Sequence, residues 1–229
     1  ITGNATAVQK ENVKVTIIGN QKTYNGAIIV DGKSKRYATA GLTIQNISFS
    51  AENISEPAYI NLGKSGNGNT RYTNNVTVKD CTFSTTSTKD VAAVKSYTGG
   101  DWNLNISGCT VNEGMHSMLQ VANVEKGLNI AGCKVYSKNG INLNNTPSLE
   151  MEGCTFDTKG YAIRVGVNGN TNNGVFNISN STLKSDCEDD DAVIILRGNM
   201  AGSTLNLTNT TVTGTLQYTN ESNATINVM

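Results

Sequence analysis

Apolar and polar residues alternate along this chain in short bursts that share one pattern. The clearest are LTIQNISF from Leu42, VTVKDCTF from Val76, LNISGCTV from Leu104, LNIAGCKV from Leu128, LEMEGCTF from Leu149, FNISNSTL from Phe176 and LNLTNTTV from Leu205. A partial copy, INV, starts at Ile226, and an earlier one, VTIIG, at Val15. Each octamer reads apolar-x-apolar-x-turn-small-x-apolar. Alternation with a period of two predicts a strand with one buried face. The fifth position holds Asn46, Asp80, Gly108, Gly132, Gly153, Asn180 and Asn209. These are the residue types that tolerate a left-handed backbone. Each octamer therefore predicts a short strand, a sharp bend and a second strand that resumes the inward alternation.

A third apolar pair follows most copies: Ile60 and Leu62, Leu119 and Val121, Ile141 and Leu143, Ile163 and Val165, Ile194 and Leu196. Successive octamers start 34, 28, 24, 21, 27, 29 and 21 residues apart. Three short strands within a minimum of 21 residues make one rung of a parallel β-helix. Stacking about eight or nine rungs at ~4.8 Å gives a rod on the order of 40 Å long. A helical solenoid does not fit a period of two broken every few residues by Gly or Asn. A leucine-rich repeat would need a more regular consensus.

Cys81, Cys109, Cys133 and Cys154 share the position after the bend, flanked in the same column by Ile47, Ser181 and Thr210. That column points inward and asks for small side chains. A free cysteine behaves as a small buried hydrophobe, so the pattern predicts an internal ladder of thiols. Stacked side chains that point the same way suit disulfide geometry poorly, and no oxygen or nitrogen ligands converge on them for a metal. Cys187 lies outside the column, in a polar stretch, and is expected to be partly exposed.

In these strand–bend–strand octamers and the small-residue ladder, from about Val13 to Val228, the chain resembles the right-handed parallel β-helix superfamily, which includes pectate-lyase-like and adhesin-like surface proteins. The resemblance implies an all-β fold: a right-handed, single-stranded parallel β-helix, with residues 1–229 forming one domain. It also implies an extracellular setting, secreted or attached to a bacterial cell surface. It implies no one chemistry, because lyases, hydrolases, tailspikes and adhesins share the architecture. The chain begins at Ile1 without an initiator Met or a signal-peptide pattern. It is therefore read as part of a longer secreted or surface protein, whose flanking domains would cover the open ends of the rod.

Charge narrows the partners. Eighteen basic residues balance eighteen acidic ones, which argues against nucleic acid or an anionic membrane as the partner of the whole surface. No run of about 18 apolar residues predicts membrane insertion.

Function in solenoids sits in the connections between strands. The stretches after the third strands, 31–41, 63–75 and 95–103, hold Arg36, Tyr37, Lys64, Arg71, Tyr72, Lys95, Tyr97 and the chain's one tryptophan, Trp102. Aromatic faces pack on sugar rings and arginine forks carboxylates. A stack of these residues along one edge would bind an acidic polysaccharide or a cell-surface glycan; the alternative is a solvated loop surface. The second candidate is SDCEDDDAVIILRGN, residues 185–199. Asp186, Glu188, Asp189, Asp190 and Asp191 could hold Ca²⁺, the one cofactor considered, or supply an acid–base pair, or simply be solvated. The paired aspartates look like part of the polygalacturonase signature, but the sequence lacks Gly-His-Gly and a later Arg-x-Lys. His116, the only histidine, has no matched partner at a recognisable spacing and is expected at the surface. Arg164 and Arg197 fall on outward faces, and either could serve a lyase as its base. The sequence thus points first to a non-catalytic extracellular module, adhesin-like or carbohydrate-binding. A divergent polysaccharide lyase or glycoside hydrolase and a structural spacer stand as alternatives.

Overall fold

The computed structural model describes residues 1–8, 10–31, 39–63, 75–96, 102–122, 124–166, 173–187 and 192–229. Among the described residues the protein is all-β, without a helix, and its strands run parallel in a nine-stranded and a fifteen-stranded sheet. This is the arrangement of a parallel β-helix-like solenoid.

The predicted bends account for the larger sheet. Gly41–Ala51 runs through Asn46 as one long strand. Its first half pairs with Asn75–Lys79 and its second half with Thr82–Thr85. Two ladders, one before the bend and one after it, are joined by this strand. Backbone φ is +55° at Asn46, +52° at Asp80, +61° at Gly108, +60° at Gly132, +62° at Gly153, +50° at Asn180 and +47° at Asn209. All seven bend positions read from the sequence are therefore left-handed. Only residues with a small penalty for that conformation can turn the chain there without breaking the pairing on either side.

The nine-stranded sheet is built from the third strands, among them Ala58–Leu62, Ala92–Ser96, Ser117–Ala122, Asn139–Leu143, Ile163–Val165 and Ile194–Arg197. The ladders enclose one apolar core. Leu42, Val76, Leu104, Leu128, Leu149, Phe176 and Leu205 are buried at equivalent positions, and like residues face each other through the register, as in Val76 opposite Leu104. Phe49 and Phe83 stack at 5.0 Å in the post-bend ladder, with Tyr59 inclined against both.

Cys81, Cys109, Cys133 and Cys154 form the expected buried column, and all are free thiols. Each thiol also lies 3.3 to 3.4 Å from the carbonyl two residues earlier, so the bend supplies the acceptor. Thiol hydrogen bonds to Cys133, and then burial, push Cys109 and Cys154 above the usual thiol range. Ser181 extends the column by accepting a hydrogen bond from the Cys154 backbone N–H at 3.1 Å.

Outside the pre-bend ladder, amides bond one another along the rod. Asn103 donates to Asn75, Asn129 to Asn105, Asn177 to Glu150, Asn206 to Asn177 and Asn227 to Asn206, at 2.8 to 3.0 Å. This surface satisfies itself.

Candidate functional site

The outer face of the nine-stranded sheet carries a row of polar side chains from five successive strands. Alternation buries Ile60 and Leu62 and turns Asn61 outward. The register then sets Asn61 beside Lys95, Lys95 beside Gln120, Asn142 beside Arg164 and Arg164 beside Ile195. Gln120 follows Leu119, the partner of Ile141, and so continues the row towards Asn142.

An outward position on a sheet is ordinarily wet. Here Asn61 is only 1 % exposed and Asn142 only 6 %, whereas Lys95, Gln120 and Arg164 are half-buried. Asn61 donates to the Ala58 carbonyl at 2.8 Å, while its Oδ1, the Oδ1 of Asn142 and the Nε of Arg164 make no hydrogen bond. A buried polar atom without a partner costs about 1–3 kcal/mol. The Arg164 guanidinium lies 4.6 Å from the centre of the Tyr161 ring, which fixes its plane and offers a cation–π contact. Burial holds Lys95 below the ordinary lysine range.

Beside this row, the turns that lead from the post-bend ladder into the nine-stranded sheet form an open cavity of about 330 Å³. Lys89, Lys138 and Lys159 line it, facing Asp90 and Glu113. Tyr136, 37 % exposed, presents part of its ring. His116 is held by backbone hydrogen bonds on both sides: its N–H donates to Val91 at 2.8 Å and its carbonyl accepts from Asn139 at 2.8 Å. The ring is 16 % exposed, with Nε2 3.9 Å from Asp90 Oδ2 and Nδ1 3.4 Å from Ser117 Oγ. Burial is the main cause that lowers the His116 pKa. Asp90 opposes the shift, and Lys138, Lys95 and Arg164 add to it.

Several sequence expectations are corrected. Trp102 is fully buried and is a core side chain, so it offers no face to a sugar. It stands two residues before Leu104 in the same alternation, on the inward side. Lys95 is not in a loop; it lies on the strand Ala92–Ser96. His116 is largely enclosed by its turn. Cys187, expected to be partly exposed, is 9 % exposed. Its Sγ lies 2.9 Å from Ser185 Oγ, and it borders the His116 cavity.

Asp186 is exposed and lies 3.9 Å from Lys184, which also pairs with Asp157 at 3.1 Å. Arg197 pairs with Glu221 at 3.2 Å. Arg36, Tyr37, Lys64, Arg71, Tyr72 and Tyr97 lie outside the described residues, as do Glu188, Asp189, Asp190 and Asp191. Among the described residues, no three His, Cys, Asp or Glu side chains are grouped to hold a metal ion.

The sequence reading passed over Asn61, Gln120 and Asn142, although a signal was present. Each is the polar residue next to the inward apolar residue of its third strand. Comparisons with protein families, with curated proteins and with solved structures found no match for this chain.

Proposed function

We propose that this chain is a right-handed parallel β-helix of about eight to nine three-strand rungs that binds an anionic polysaccharide without cleaving it. The ligand lies along the outer face of the nine-stranded sheet. The row Asn61, Lys95, Gln120, Asn142 and Arg164 carries this reading, because successive parallel strands set its amides and half-buried cations side by side. The row has amides for hydroxyl groups, cations for carboxylates and no carboxylate of its own. Its direction suits an extended polymer, since parallel strands repeat at ~4.8 Å. The neighbouring lysines Lys89, Lys138 and Lys159 add positive potential at one flank. Such ligands belong to cell surfaces and extracellular matrices, which fits a secreted or surface-attached bacterial protein.

Affinity electrophoresis through gels cast with polygalacturonate or with a neutral glucan, each with and without Ca²⁺, tests the proposal. The polyuronate gel retards the protein, the neutral gel does not, and Arg164→Ala weakens retention about tenfold, equivalent to ~1.4 kcal/mol. Equal mobility in both gels defeats the reading and leaves a structural spacer. Retention that requires Ca²⁺ would move attention to the segment 186–191.

A catalytic reading draws on one observation. His116 is shifted towards its neutral form, the form a general base needs, in a cavity that also holds three lysines. Staining the same gels for cleared substrate separates the two: clearing would mean a lyase or hydrolase.

A further inference from the structure

We infer that the anion site takes up one proton, on the His116 imidazole, as its ligand binds, so that affinity for a polyuronate rises as the solution is acidified. This rests on the proposed anionic-glycan reading and adds its regulation.

The geometry places the imidazole where a bound anion must be felt. Its ring is enclosed in the cavity beside the row. Lys89, Lys138 and Lys159 line the same cavity, while Lys95 on the strand Ala92–Ser96 and Arg164 on Ile163–Val165 lie outside that lining and act on the ring only through their charge. Asp90, from the turn before Ala92, is the one carboxylate within 4.0 Å among the described residues. Glu113 completes the charged lining.

In the empty site, burial and the charges of Lys138, Lys95 and Arg164 oppose a positive imidazole more strongly than Asp90 favours it. A uronate carboxylate seated against Lys89, Lys138 and Lys159 in that cavity adds a negative charge beside the imidazole and reverses the balance. The proton comes from solvent. By linkage, a ligand that raises the proton affinity of a group binds more tightly when that group is protonated, by the same factor. The ligand's own carboxylates do not carry the effect. Free carboxyl groups titrate near ~4, so between pH 5.5 and 7.5 the ligand keeps its charge.

The chain has a single histidine, so one imidazole Cε1–H resonance in the proton NMR spectrum reports its titration without assignment. That resonance is followed against pH in the free protein and with saturating hexagalacturonate, and the Kd of the hexamer is measured by calorimetry at pH 7.5 and 5.5. The titration midpoint should rise on binding, and Kd should fall about fivefold between the two pH values, the coupling that linkage requires. His116→Gln should remove the pH dependence. A midpoint that does not move, or a slope that survives in the glutamine variant, overturns the inference while binding itself stands. No binding at either pH removes the anionic-glycan reading and this inference with it. The wild-type titration keeps the test decisive if the variant fails to fold.

Discussion

A single backbone angle recurs at the bends, and the residues that bear it are under different constraints. Gly153 sits at φ +62° with open space where a Cβ would go, whereas a Cβ at Gly108 would meet the Asp80 carboxylate. Gly153→Ala therefore isolates the left-handed penalty and should cost about 1–2 kcal/mol, read as a lower urea midpoint at unchanged slope. Gly108→Ala should cost more, because Asp80 must also move. A loss at Gly153 near zero would mean that the bend can relax to a right-handed conformation. The thiol column next to the bends works at the same scale. Its side chains are small enough for the ladders to close, and each finds an acceptor in a carbonyl two residues away. A column of valines would fill the space but leave those contacts unmade.

Within a ladder, packing is read strand by strand. Phe49, Phe83 and Tyr59 form one aromatic group, with Tyr24 edge-on to Phe49 at 5.7 Å. Phe83 is 1 % exposed and stacks between strands Gly41–Ala51 and Thr82–Thr85. Phe83→Ala should cost about 3–5 kcal/mol through lost transfer energy and the cavity left behind. Thermal or urea denaturation checks this, and a loss under about 1 kcal/mol would mean that the neighbouring rings collapse into the space. The nine-stranded sheet follows a different logic. Its inward residues are as apolar as those of the other ladders, but the outward row of its five central strands is made of amides and cations. The outer face of the pre-bend ladder bonds its own amides to each other and has little left to offer a ligand. Amides and cations on one face and a closed network on the other make the nine-stranded sheet the place to look for binding.

Across the whole molecule, each strand pairs through its backbone only with its neighbours along the stack, so stability is largely a sum of local interfaces. The outermost strands have a neighbour on one side only. Val15 is 41 % and Ile18 52 % exposed at one edge, and Val228 is 64 % exposed at the other. Amide hydrogen exchange should therefore be fastest in Lys14–Tyr24 and Thr225–Val228 and slowest in the central strands Asn103–Ser107, Gly127–Ala131 and Ser148–Glu152. Mass spectrometry of peptides after deuterium labelling reads this directly. Uniform protection from edge to centre would mean that the chain opens only as one unit.

Alternation with a period of two, a left-handed residue at fixed intervals and a small residue after it are local instructions. They were enough to determine the strands, all seven bends, the thiol column and the three-ladder plan, because backbone sterics and side-chain period act over a few residues. The same alternation, continued back from Leu104, marks Trp102 as inward. Tertiary structure alone decided which outward residues are wet and which are buried. Asn61 and Asn105 are both asparagines on outward strand positions. Asn61 is buried with an oxygen unpaired, whereas Asn105 accepts a hydrogen bond from Asn129 on the open face. The gathering of His116, Lys89, Lys138 and Lys159 around one cavity was hidden for the same reason. They are brought together by stacking across strands some twenty residues apart, and burial and electrostatic coupling depend on that third dimension.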